Sequence, residues 1–168
     1  MKTIIQYTSL IALSSILVAC GSGGAANKVE GKAVATASTT AAPSTTIPSP
    51  QAGGYSNIDN NQLAQMMKDG VTLVDIRRKE EWQQTGIIKG AKTITFFDKY
   101  GRINPNFVSE FKALVKPDQP VALICRTGNR TRAASQAISQ QLGYKKVYNV
   151  SHGITGWLAE KRPVVAYK

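Results

Sequence analysis

The sequence predicts an α/β fold, a largely parallel central sheet flanked by helices. From Tyr55 onward, short apolar runs alternate with segments of helical character, separated by Gly, Pro or Asp. The run Val121-Ala122-Leu123-Ile124 offers no polar residue to solvent, which marks a buried strand. That strand feeds a glycine-containing loop and then a helix, the order in which open α/β sheets place their sites at strand C-termini.

The elements follow in chain order. Asp59 is placed to cap a helix over Asn60 to Lys68, with Leu63, Met66 and Met67 as its apolar residues and Gly70 as its stop. Val71 to Ile76 reads as a buried strand, and a short helix is expected around Lys79 to Gln83. Lys92 to Phe96 is a further strand. Pro105 suits the first turn of a helix carrying Phe107, Phe111, Leu114 and Val115. Pro117 and Pro120 bracket a turn before the strand Val121 to Cys125. A helix is expected from about Thr131 to Leu142, ended by Gly143. Lys146 to Val150 is the last strand, and Gly156 to Lys161 a closing helix.

The chain before Tyr55 has a different character. Met1-Lys2 is a short basic start, and Thr3 to Ala19 is mostly apolar and uncharged, the pattern of an export signal. Leu17-Val18-Ala19-Cys20 resembles the lipobox of bacterial lipoproteins. That resemblance implies a signal peptide over 1–19 and a lipidated Cys20. Its acyl chains would hold the protein to a membrane where one chain alone is marginal. Gly21 lacks the aspartate that retains some lipoproteins at the inner membrane. The expected location is therefore the cell envelope, at the outer membrane facing the periplasm where the cell has one. Residues 20–54 are rich in Gly, Ala, Ser, Thr and Pro and cannot bury enough surface to fold, so they read as a tether with a reach of roughly 30 Å. The folded domain is assigned to 55–168.

Charge and cysteine usage narrow the function. Loss of Lys2 with the leader takes the formal net charge from +11 to about +10, a balance that favours anionic partners. An exported lipoprotein meets little nucleic acid, so none is expected as a partner; small anionic substrates and lipid headgroups fit better. With Cys20 lipidated, Cys125 has no disulfide partner, and a lone thiol in an oxidising compartment makes most sense as a reagent.

Cys125 opens the stretch Cys125-Arg126-Thr127-Gly128-Asn129-Arg130. A cysteine at a strand end, before a loop that enters a helix N-terminus, sits where backbone N–H groups and the helix dipole favour an anion. Arg126, Arg130 and Arg132 add full charges. These features favour the thiolate, which is the nucleophile. The opposing reading, a buried core cysteine, does not account for the arginines. No cofactor and no metal site are expected, because no second histidine or cysteine cluster exists.

From Tyr55 to Pro163 the chain resembles a single rhodanese domain, the sulfurtransferase fold. Asp75-Ile76-Arg77, Glu80-Glu81-Trp82 and Gly86 to Ala91 resemble its N-terminal signature. Cys125 to Arg130 resembles its active loop. Gly143-Tyr144, Val147 to Val150, Gly153-Ile154 and Trp157 resemble its C-terminal signature. His152 departs from it, standing where many members have glycine. The resemblance implies that Cys125 is the catalytic nucleophile and that Arg126, Thr127, Gly128, Asn129 and Arg130 bind donor and persulfide. It implies a small anionic sulfur donor such as thiosulfate, and a thiol, cyanide or a protein thiol as acceptor. A rhodanese module that presents persulfide to a protein partner without turnover is the alternative. Cysteine phosphatases and arsenate reductases need Cys-x5-Arg, and Thr131 stands at that position. Asp75 and Arg77 are expected to be a structural pair holding the strand-end loop, with a catalytic part as the alternative.

Overall fold

Strand β4 (Val121–Ile124) is the centre of the molecule, and all four of its residues are buried. The computed structural model describes Pro48 and residues 54–168, so the predicted signal peptide and nearly all of the tether lie outside the described residues. The strands found there are β1 (Ser56–Ile58), β2 (Thr72–Asp75), β3 (Lys92–Thr93), β4 and β5 (Val147–Val150). They form one sheet in the order β1-β5-β4-β2-β3, and every pairing is parallel. The helices are α1 (Asn60–Lys68), α2 (Lys79–Thr85), α3 (Phe107–Leu114), α4 (Asn129–Leu142) and α5 (Gly153–Ala159). The fold class expected from the sequence is the one observed.

Alternation along β4 sorts the core into two layers. Val121 and Leu123, followed by Cys125, pack with Phe107 and Phe111 of α3 and Ala134 and Ile138 of α4. Ala122 and Ile124 point the other way, to Leu63 and Met66 of α1 and Ile154 and Trp157 of α5. Cys125 therefore continues the face that α4 covers, one residue past the end of the strand.

Local chemistry explains the element ends. Asp59 caps α1 in a reciprocal box, its Oδ1 accepting from the Gln62 amide at 2.8 Å while the Asp59 amide donates to Gln62 Oε1 at 3.0 Å. Gly143 ends α4 with φ 76°. Phe96, Phe107, Phe111 and Tyr144 form a run of ring contacts under α3, and the Tyr144 hydroxyl donates to the Val115 carbonyl at 2.7 Å.

Several boundaries differ from expectation. Pro105 lies outside α3, because Asn106 is the residue that caps it. The strand expected over Lys92 to Phe96 pairs as a ladder only at Lys92–Thr93, although Ile94 and Phe96 are buried as their pattern demands. Helix α4 begins at Asn129 and α5 at Gly153, both earlier than expected, because each starts inside its loop signature. Strand β1 was not foreseen. It has three residues, two of them polar, and its register is set by β5, with Asn57 opposite Asn149.

Candidate active site

The polypeptide leaves β4 at Cys125 and must turn at once into α4. Gly128 makes that turn as the cap of α4, with φ 88°. A side chain there is excluded on two grounds: the left-handed conformation and space, since a Cβ would stand 2.1 Å from the Ser151 carbonyl oxygen. Gly153 is held in the same way at φ 55°, its missing Cβ lying 2.5 Å from the Cys125 and Arg126 carbonyl oxygens. The amide of Ile154 donates to the Cys125 carbonyl at 2.8 Å and that of Thr155 to Arg126 at 3.1 Å. The Thr155 hydroxyl also donates to the Arg126 carbonyl. The start of α5 thus clamps the cysteine loop from outside.

This clamp fixes the sulfur. Cys125 is 1% exposed. The Gly128 amide donates to Sγ at 3.2 Å, and the Thr131 hydroxyl oxygen lies 3.4 Å from it. The Thr131 hydroxyl is also 3.0 Å from the Gly128 carbonyl and donates at 2.5 Å to Oδ1 of the buried Asn149. Two polar groups therefore meet the sulfur at the N-terminus of α4, and of these the Gly128 amide is the donor suited to an anionic sulfur.

The loop arginines divide. Arg126 is exposed and lines a cleft of about 170 Å³ beside the loop, with Glu81, Thr85, Ile154 and Thr155. Arg130 is engaged by a neighbouring helix. Its guanidinium makes a two-pronged pair with Glu81 of α2, at 2.6 and 2.7 Å. Burial pushes the Glu81 carboxyl up, but the Arg130 hydrogen bond, the Arg78 amide and the charges of both arginines outweigh it and hold it at about 2. The same pairing raises Arg130 further, with a smaller contribution from Cys125 itself. Arg130 is therefore a fixed charge near the sulfur that is largely neutralised by its partner. Thr127 and Asn129 lie exposed on the rim, and Asn129 Oδ1 accepts from Arg132 at 3.3 Å.

Asp75 and Arg77 form a buried pair at the end of β2, Arg77 Nη2 lying 2.7 Å from Asp75 Oδ2. Arg77 also donates to Thr85 Oγ1 at 2.6 Å and to the Gly86 carbonyl at 2.8 Å. It ties α2 to the sheet, and it also lines the cleft beside Arg126. His152 precedes α5 and is exposed; among the described residues its ring makes no hydrogen bond. Cys20 lies outside the described residues. Sequence reasoning missed the parts played by Glu81, Thr131 and Asn149. Glu81 carried a faint signal, as an acidic residue in a segment preceding an arginine-rich loop. Asn149 carried none, because its partner comes from a different element.

A family model described as a rhodanese-like domain matches residues 59–160. The chain belongs to the rhodanese-like family. Its relatives include the protein RP600 of Rickettsia prowazekii, 33% identical over 95 residues that cover 54% of this chain and 75% of the relative. The thiosulfate sulfurtransferase GlpE of Pseudomonas aeruginosa is 27% identical over 103 residues, 61% of this chain and 84% of that protein. Among solved structures, a rhodanese-related protein from Thermoplasma volcanium is 30% identical, with a TM-score of 0.55 over 67% of this chain and all of that one. The cysteine loop, its clamp and strands β2 to β5 lie within the matched residues, and β1 lies just before them.

Proposed function

We propose that this rhodanese-like protein is a sulfurtransferase that takes sulfane sulfur from thiosulfate, or a similar small anionic donor, and passes it to a thiophilic acceptor through a persulfide on Cys125. The observation that carries the reading is the buried Cys125 sulfur, held at a strand end by the Gly128 amide and beside the Thr131 hydroxyl. Sulfurtransferase names among the relatives support the reaction class.

In the first step the Cys125 thiolate attacks the outer sulfur of thiosulfate. A Cys–S bond forms, the S–S bond of the donor breaks, and its electron pair leaves with sulfite. In the second, an acceptor thiolate or cyanide attacks the outer sulfur of the persulfide and returns Cys125 as thiolate, a two-step covalent cycle. The Gly128 amide is placed to stabilise the anionic sulfur at both ends of the cycle. Arg126 supplies positive charge at the cleft to offset repulsion between an anionic donor and the thiolate.

Phosphate chemistry is disfavoured by the same geometry. Thr131, at the position where a phosphatase loop closes with arginine, faces Sγ and Asn149, and Arg130 is held by Glu81. The export reading extends the proposal: Leu17 to Cys20 supports a lipid-anchored protein in the cell envelope, with the domain held off the membrane by its tether. Cyanolysis with the Cys125→Ser variant tests the reaction. The hydroxyl is nearly isosteric but a far weaker nucleophile, so thiocyanate formation is expected to vanish while the variant still folds. Retained turnover would place the reaction elsewhere.

A further inference from the structure

A chain of three polar side chains runs from the protein surface to the Cys125 sulfur. Asn57 of β1 is exposed, its register partner Asn149 of β5 is 1% exposed, and Thr131 of α4 is fully buried. Asn149 Nδ2 donates to Asn57 Oδ1 at 2.8 Å, Thr131 Oγ1 donates to Asn149 Oδ1 at 2.5 Å, and Sγ lies 3.4 Å from the same hydroxyl.

A threonine hydroxyl has one proton and two lone pairs. With the proton on Asn149, the oxygen offers the sulfur a lone pair. That suits a thiol S–H and repels an anion. An anionic sulfur, thiolate or persulfide, needs the proton turned toward it. If only the hydroxyl turned, the Asn149 carbonyl oxygen would face a lone pair across 2.5 Å in a buried site, which is costly. The amide of Asn149 can turn with it, because its own partner is a second amide. Donor and acceptor ends of an amide exchange on a half-turn with almost no change of shape. After both amides turn, Asn57 Nδ2 donates to Asn149 Oδ1, Asn149 Nδ2 donates to Thr131, and Thr131 donates to Sγ. Every side-chain bond of the chain survives with its direction reversed, and the Gly128 carbonyl, 3.0 Å from the Thr131 hydroxyl, keeps the Arg132 amide as its donor in both directions. No proton moves along the chain; the thiol proton leaves to solvent.

We propose that Asn57 and Asn149 are positioning residues whose paired amides let the Thr131 hydroxyl reverse its donation, so that one buried chain satisfies Cys125 both as a thiol and as an anionic sulfur. This rests on the reading of Cys125 as the reacting group. Among the described residues, the charged and titratable groups on the elements that frame the loop are Arg126 and Arg130 of the loop, Arg132 of α4 on Asn129, Glu81 of α2 on Arg130, the Asp75–Arg77 pair after β2, and His152 before α5. Among the described residues none of them hydrogen-bonds to Thr131, Asn149 or the Asn57 side chain.

The test is the pH profile of Cys125 alkylation by iodoacetamide, a neutral reagent, on the full-length protein at high salt, read on the Cys125 peptide by mass. Asn57 is exposed, so its variants are expected to fold. Asn57→Ala, in which water takes the place of the amide and can donate or accept, is the neutral reference against which Asn57→Asp is read. Asn57→Asp accepts only, which holds the chain in the thiol direction. Its midpoint is expected to rise by about half a pH unit or more, a charge-assisted hydrogen bond being made harder to form. High salt screens the through-space effect of the new carboxylate. Thr131→Val should raise the midpoint by about one unit, and Thr131→Ser should restore it. Coincident profiles for Asn57→Asp and Asn57→Ala, or for Thr131→Val and the unsubstituted protein, overturn the proposal. Sulfur loading is read separately. If Cys125 takes no sulfur while the profiles shift as stated, the transfer reading fails and the chain of side chains stands. If it loads sulfur and the profiles coincide, only the chain fails.

Discussion

Around Cys125 the two loop arginines differ in what they touch: Arg126 is exposed at the cleft and Arg130 is paired. Arg130 ends the loop, yet its fork is taken by Glu81 at 2.6 and 2.7 Å. Removing Arg130 does more than delete a cation: it leaves the partly buried Glu81 carboxylate with only the Arg78 amide at 3.1 Å and the Arg78 side chain at 3.7 Å to offset its charge beside an anion site. Arg130→Ala is therefore expected to lower kcat/KM for thiosulfate by about tenfold or more. Adding Glu81→Gln to it should recover part of that loss in steady-state assays; a double variant as poor as the single one would show that Arg130 meets the donor directly. Arg126, exposed at the cleft, is expected to act on the donor without such compensation. Cys125, its loop and the Asp75–Arg77 pair were legible from residue type and order. Glu81 and Asn149 were not. Glu81 lies 49 residues before its partner and Asn149 is linked to Asn57 across 92, and a single sequence does not reveal which side chains meet across elements.

At the scale of elements, the site is a junction between β4, α4 and α5, closed by two glycines against backbone carbonyls. Gly153→Ala would force a Cβ to within 2.5 Å of two carbonyl oxygens and add about 1–2 kcal/mol for the left-handed conformation alone. The clamp on Arg126 and Cys125 is expected to open, with a lower Tm and loss of thiol reactivity. A Gly153→Ala variant with unchanged melting and alkylation would show that the clamp is not needed. The Glu81–Arg130 pair joins α2 to α4 and gives an acid signature. Glu81 is held at about 2 against an ordinary 4.5, so its contribution to stability is complete above 4.5 and lost as pH falls from there toward 2. Glu81 is partly exposed, so the effect is modest. Acid titration of Glu81→Gln should lack that part of the fall in stability, and a curve parallel to that of the unsubstituted protein would contradict the pairing. Helix α1 was legible to the residue because its cap, apolar spacing and stop are all local. Strand β1 was invisible because three residues carry no periodicity of their own and pair only where β5 offers an edge.

For the whole molecule, the alternation of strands and helices and the buried run of β4 were enough to predict a parallel α/β sheet, since those signals repeat along the chain. Sheet order was not readable, because it depends on crossovers between elements far apart in sequence. The anchor reading rests on residues outside those the structure describes. On the proposed lipid anchor, Cys20→Ser is expected to leave the protein in the soluble fraction with thiosulfate turnover intact, because Cys20 precedes the residues 59–160 that carry the Cys125 site. Persistence in the membrane fraction would show that lipid on Cys20 is not what holds it. The central claim, a persulfide on Cys125, is tested most directly by the mass of the Cys125 peptide after treatment with thiosulfate and removal of the excess donor. The account predicts a gain of about 32 Da, one sulfur atom, that cyanide then removes. A Cys125 peptide of unchanged mass, from protein that nonetheless consumes thiosulfate, would contradict it.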